Sequence, residues 1–132
     1  MTQTILIIDD FASVRLYHMS FLTRKGYRCI GANDGAEALA RLHESPIDLI
    51  LLDMVMPGMD GEAFIAHLDR EAGHHRIPIL AITSEASLAQ ASLGEGRRAM
   101  RVLSKPVMPE TLLWGVQQLL PPSVVEADAP TH

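Results

Sequence analysis

The chain holds a single cysteine, has no excess of basic residues and carries no long apolar run. One cysteine, Cys29, excludes an intramolecular disulfide and suits a reducing compartment. Its neighbour Ile30 and its strand-like surroundings make it a small core residue. Eleven Lys and Arg against sixteen Asp and Glu leave a net charge of −5, the wrong sign for a general nucleic-acid binder. No stretch approaches the ~20 apolar residues of a membrane span. The opening segment lacks the positive flank of a signal peptide, and Asp9 and Asp10 cut short the apolar run Ile5 to Ile8. A cytoplasmic protein with neither nucleic acid nor membrane as partner is the expectation. A Gly-rich turn is also missing after that first run. The residues there are Asp9, Asp10, Phe11, Ala12 and Ser13, which exclude a dinucleotide-binding loop.

What is present fits one domain. A length of 132 residues, 48% of them apolar and 20% charged, is an ordinary globular balance. Short apolar runs alternate with segments of helical period. Thr4 to Ile8 ends on two aspartates, Ile47 to Leu52 ends on Asp53, and Ile77 to Ile82 ends on Thr83. Runs this apolar and without alternation predict central parallel strands covered on both faces. Arg28 to Ala32 and Met100 to Ser104 are the remaining strand candidates.

Between them, Val14, Tyr17, His18, Phe21 and Leu22 follow the i, i+3, i+4, i+7, i+8 rule, and Gly26 stands where a helix ends. Asp34 and Glu37 form a capping box ahead of Ala38, Leu39 and Leu42. Gly61 to Glu71 carries Phe64, Ile65 and Leu68, and Leu88 to Leu93 predicts a short fourth helix. Pro109 opens a last helix with Leu112, Val116, Leu119 and Leu120 inward. Five β/α units without a repeat give a single α/β sandwich with right-handed crossovers. Residues 1–120 make the domain. Residues 121–132, with their prolines and acids, read as a disordered tail or the stub of a linker.

In an open parallel sheet, ligands bind beyond the carboxyl ends of the strands. Those ends carry Asp9 and Asp10, then Asp53, then Thr83, and after the fifth strand Lys105. Three close carboxylates repel one another unless a counter-charge is supplied. A hard divalent cation such as Mg²⁺, keeping several waters, suits such an open rim. Lys105 adds a compact positive charge and Thr83 a hydroxyl donor. Together they can stabilise a phosphoryl group, which a carboxylate can accept covalently. Asp34 and Asp60 each precede Gly and a helix and read as caps, while Asp48 reads as a solvated edge on the far rim.

These residues carry a resemblance. Ile8-Asp9-Asp10-Phe11, the run Asp53 to Gly61, Thr83-Ser84 and Lys105-Pro106 resemble the signature of response-regulator receiver domains over roughly residues 4 to 120. Asp9-Asp10-Phe11 followed by Arg15 is similar to the stand-alone chemotaxis regulators. The resemblance implies a flavodoxin-like (βα)5 three-layer sandwich with a five-stranded parallel sheet in the order 2-1-3-4-5. It implies that Asp53 takes a phosphoryl group from the phosphohistidine of a sensor histidine kinase or a histidine phosphotransfer protein, switching conformation to control a downstream protein. Such a switch catalyses only its own phosphorylation and dephosphorylation, as a monomer or a phosphorylation-dependent dimer. Asp10, Asp53 and the Val55 backbone carbonyl would hold Mg²⁺, with Asp9 acting through bound water. Lys105 and Thr83 would bind the phosphoryl group. The Lys105–Pro106 bond would be cis. Pro57 and Gly58 would shape the loop after Asp53, in which Met54, Met56 and Met59 pack, and Ser84 would leave the phosphoryl path open.

Two departures from the family pattern stand out. Val102 occupies the position three before the lysine where an aromatic residue is usual, so there is no ring to relay the signal. The segment Arg97-Arg98-Ala99-Met100-Arg101 replaces a small Gly-Ala entry to the fifth strand. Its arginines read as a solvated face or a surface for an acidic or phosphorylated partner. Trp114 with Leu113, opposite the inward stripe of the last helix, is a candidate interface anchor. His18 reads as a packed boundary histidine. His74-His75 reads as a polar turn, with no Cys or third His spaced to complete a metal site. Three alternatives complete the sequence reading. The first is a receiver domain excised from a larger regulator or hybrid kinase. The second, an aspartate-nucleophile phosphatase of the dehalogenase type, is disfavoured because Val55 stands where that fold usually places a second aspartate. A degenerate scaffold would need a missing acid or lysine, and none is missing.

Overall fold

A computed structural model describes residues 2–56, 58–71, 73–74, 76–84 and 98–121. Five strands, β1 (Thr4–Ile8), β2 (Arg28–Ala32), β3 (Leu49–Asp53), β4 (Ile79–Thr83) and β5 (Met100–Ser104), form one parallel sheet in the order β2-β1-β3-β4-β5. The described helices are α1 (Ala12–Arg24), α2 (Gly35–Glu44), α3 (Gly61–Asp69) and α4 (Pro109–Leu119). The expected helix at Leu88 to Leu93 lies outside the described residues.

The three uninterrupted apolar runs became the buried strands β1, β3 and β4. Side-chain alternation sends Leu6, Ile8, Ile50, Leu52 and Ile79 to one core with Phe64 and Leu68 of α3. It sends Ile5, Ile7, Leu49, Leu51 and Leu80 to the other, with Leu22 of α1 and Leu112 and Val116 of α4. Truncating any of these to Ala costs roughly 2–5 kcal/mol. Cys29 is half-buried against the α1–α4 core, and burial pushes its thiol pKa up, away from reactivity.

Local chemistry sets the helix ends. Asp34 accepts from the Glu37 amide at 2.8 Å and Asp60 from the Ala63 amide at 2.9 Å, so both are caps. The Glu37 carboxylate reaches back to the Asn33 amide at 2.5 Å, one residue earlier than an ideal capping box. At Gly61 a side chain is excluded, because a Cβ would stand 2.8 Å from Met54 Cα. Helix α3 therefore starts directly over the segment that follows Asp53.

Three expectations are corrected. Val14 and Tyr17 do not join the α1 core but are 39% and 53% exposed, while His18 and Leu22 are buried. The first turns of α1 stand at the level of the sheet's rim, beside a cleft rather than over the sheet. Asp48 is not merely solvated: its carboxylate accepts the Thr4 amide at 2.7 Å and holds the start of β1. Arg98 is not a solvated arginine. It is 8% exposed, and its guanidinium bridges Asp69 Oδ1 at 2.5 Å, the Ile77 carbonyl at 2.7 Å and the His74 carbonyl at 3.1 Å. A planar fork of donors can tie three oxygens from different segments, which a charge run in the sequence does not reveal.

Candidate functional site: an acidic rim with one lysine

Four strand ends deliver the site. Asp9 and Asp10 follow β1, Asp53 closes β3, Thr83 closes β4 and Lys105 follows β5. Carboxylate oxygens of Asp9, Asp10 and Asp53 all lie within 4.8 Å of one another. Asp53 is 4% exposed and Asp9 6%. Lys105 Nζ donates to Asp53 Oδ1 at 3.0 Å, and the Val55 amide donates to the same oxygen at 3.1 Å. Asp9 Oδ1 accepts the Phe11 amide at 2.9 Å, and the Asp9 carbonyl accepts from Arg15 Nη1 at 2.6 Å. Thr83 is buried, and its carbonyl accepts the Lys105 amide at 3.0 Å, which fixes the lysine's segment to the end of β4. The Lys105–Pro106 peptide is cis.

The electrostatics are unbalanced. Burial pushes the Asp9 carboxyl above the usual carboxylate range. Asp53 and Asp10 push the same way, against the Phe11 amide and Lys105. Three carboxylates face one ammonium. Asp10 Oδ1 is buried without a hydrogen-bond partner among the described residues, and a buried carboxylate oxygen left unpaired is costly. An all-oxygen donor set with one orphaned member fits a small hard cation.

Of the other candidate residues, Val55 lies 65% exposed on the loop after Asp53, and Gly58 has φ +84. Met54 and Met56 are buried, Met59 is half-buried, and Ser84 is exposed. Trp114 is 46% exposed, with the Arg101 guanidinium 5.2 Å from its ring centroid. Leu113 is half-buried beside it. Val102 is half-buried and packs on the α2–α3 core, so it is less a surface residue than a wall of that core. Pro57, His75 and Arg97 lie outside the described residues.

Sequence reasoning missed two features. A cleft of about 600 Å³ opens beside Lys105, lined by Phe11, Val14, Tyr17, His18, Pro106 and Val107. Its apolar rim was hidden because helical periodicity assigned Val14 and Tyr17 to the core. His74 also meets Glu71, three residues before it, and His43 at the end of α2, a distant segment that no local spacing rule connects to the pair.

The response regulator receiver domain model matches residues 5–117. The chain belongs to the response-regulator receiver family. It is 34% identical to response regulator GtcR of Aneurinibacillus migulanus over 83% of this chain and 44% of that protein. It is 29% identical to PilH of Pseudomonas aeruginosa over 88% of this chain and 96% of that one. The Vibrio cholerae chemotaxis protein CheY4 superposes with a TM-score of 0.83 at 33% identity, covering 91% of this chain and all of CheY4. The chain thus spans less than half of GtcR and nearly all of PilH. Receiver domains are the phosphoacceptor switches of two-component phosphorelays, acting between histidine kinases and downstream targets. That assignment removes the phosphatase reading.

Among the described residues, no helix is long and apolar enough to cross a membrane.

Proposed function

We propose that Asp53 is the phosphoacceptor and that a sensor histidine kinase or histidine phosphotransfer protein supplies the phosphoryl group. The observation that carries this is the buried Asp53 carboxylate, held 3.0 Å from Lys105 within a triangle of acids. An Asp53 oxygen forms the new bond to phosphorus as the P–N bond breaks, its electron pair leaving with the partner's imidazole. Lys105 then follows the negative charge from the carboxylate to a phosphoryl oxygen, and Thr83 donates its hydroxyl to another. The domain thereby catalyses its own phosphorylation and, with water as attacker, its own dephosphorylation.

Receiver domains bind Mg²⁺ at their active site. Here Asp9, Asp10, Asp53 and the Val55 carbonyl would hold the cation, which when bound neutralises the crowded carboxylates. Asp10 Oδ1, buried and without a hydrogen-bond partner among the described residues, is the ligand atom that argues for it.

Phosphorylation adds up to about two negative charges, and pulling Thr83 and Lys105 inward favours one of two pre-existing conformations. Val102 has no ring to rotate; the exposed Trp114, with Arg101 over its ring and Leu113 beside it on the β5–α4 face, is the surface that would meet a downstream protein. Residues 1–120 are the receiver. Residues 121–132 are a tail, or a linker to further domains as in a larger regulator or hybrid kinase. A cytoplasmic setting and a monomer, or a dimer formed on phosphorylation, go with this reading.

The test is a two-dimensional amide NMR titration with beryllofluoride and Mg²⁺. Shifts centred on Thr83 and Lys105, absent in Asp53→Asn, are expected. An unchanged spectrum at millimolar reagent overturns the assignment.

A further inference from the structure

The helices run antiparallel to the strands, so the ends of α2 and α3 lie at the edge of the sheet opposite Asp53. Three histidines and one glutamate gather there. His74 Nδ1 lies 2.9 Å from Glu71 Oε1, and His43 Nε2 lies 3.4 Å from the same oxygen. His67 Nε2 meets the other oxygen, Oε2, at 3.2 Å. The His43 and His74 rings are 5.5 Å apart and tilted by 53°. Two imidazoles from separate segments thus aim nitrogens at one carboxylate oxygen.

We propose that His43, Glu71 and His74 form a second metal site, for a zinc-class transition metal. One donor atom from each lies within 4.8 Å of the others. Tetrahedral zinc with bonds of about 2.0–2.1 Å has donor–donor edges of about 3.3 Å. The Glu71–His74 and Glu71–His43 separations of 2.9 and 3.4 Å bracket that edge, so small side-chain rotations admit the ion. A donor set of two imidazoles and a carboxylate suits zinc, while Mg²⁺ and Ca²⁺ select oxygens. Three protein ligands leave a fourth position for water.

The surroundings orient these ligands. His67 holds the far carboxylate oxygen, a role typical of groups just behind a metal's ligands. The buried Arg98 pins the His74 carbonyl at 3.1 Å and fixes the turn that presents the ring. A bound ion would tie the last turn of α2 to the connection between α3 and β4. It would brace the base of the α2–α3 face without touching the phosphorylation pocket.

The experiment uses the untagged full chain with Mg²⁺ in excess, so that the acidic rim is occupied. Zn²⁺ binding is followed by calorimetry and melting temperature, and Co²⁺ by its visible ligand-field bands. One equivalent of Zn²⁺ should bind and raise the Tm by several degrees, and Co²⁺ should give the intense bands of tetrahedral coordination. His43→Gln, at an exposed position, and His74→Gln should each abolish both signals and leave the beryllofluoride response intact. No Zn²⁺ binding, or Zn²⁺ binding of equal affinity in both variants, overturns the site whether or not Asp53 is the phosphoacceptor.

Discussion

Lys105 Nζ and Asp53 Oδ1 are 3.0 Å apart although 52 residues separate them in the chain. The pairing follows from strand order. Asp53 closes β3, Lys105 follows β5, and β4 lies between them in the sheet. The lysine's stem has room to move, since its side chain is 39% exposed, whereas the Asp53 side chain is 4% exposed. A fixed acceptor and a movable cation are what a reversible charge switch requires.

With three carboxylates against that one ammonium, a bound cation should stabilise the fold strongly. Mg²⁺ at about a hundred times its Kd is expected to add about 2.7 kcal/mol. Asp10→Asn and Asp53→Asn should lose most of that gain while remaining folded. Melting curves with and without Mg²⁺ measure it. An equal Mg²⁺ response in all three proteins would show that the ion binds elsewhere.

Arg98 supports a different part of the fold. Removing its guanidinium strands two carbonyls and the Asp69 carboxylate that it now bridges. Arg98→Ala should cost about 2–4 kcal/mol, discounted from a fully buried pair because the Asp69 side chain is 54% exposed. Arg98→Lys should recover only part, since one ammonium cannot fork to three oxygens. Urea denaturation gives both values, and a cost within experimental error for the alanine variant would refute the bridging role.

Arg98 also shows where sequence reading ends. Strands β1, β3 and β4 were legible because a run of four or five apolar residues closed by an acid or hydroxyl has few other interpretations in a short chain. Asp9, Asp10, Asp53, Thr83 and Lys105 were legible as a set because a parallel sheet brings all its strand ends to one rim. The same arginine run describes a solvated face or a buried bridge, and only the position of Asp69 and two distant carbonyls separates them. His43 was invisible as a companion of His74 for the same reason. Val14 and Tyr17 fit the helical period yet stand beyond the sheet's edge, a boundary that periodicity does not encode.

His18 gives the pH dependence. Burial lowers its pKa from the ordinary 6.5, so the folded state prefers the neutral ring. The sign is that of a depressed group: the stability it contributes is present above the unfolded pKa and is lost as pH falls from there through the folded value. Stability should therefore decline below about pH 6.5. His18→Leu should flatten that decline, because an apolar side chain gains no charge in the same wall of the cleft. Denaturation midpoints between pH 7.5 and 5 provide the comparison; parallel slopes for both proteins would assign the acid sensitivity to other groups.

Trp114 tests the proposed output face. Its indole is 46% exposed and capped by Arg101, whose Nη2 also reaches Gln118 Oε1 at 3.3 Å. Acrylamide should quench its fluorescence readily in the isolated chain, and Arg101→Ala should raise the quenching constant further by uncovering the ring. If this face receives a downstream protein, that partner should shield the indole, and Trp114→Ala should weaken binding by at least 1–2 kcal/mol, the range of an interface anchor. Phosphorylation at Asp53, acting through Lys105 and β5, should change the partner's affinity in wild type and not in Asp53→Asn. A partner that binds with Trp114 still fully quenchable would place the output surface elsewhere.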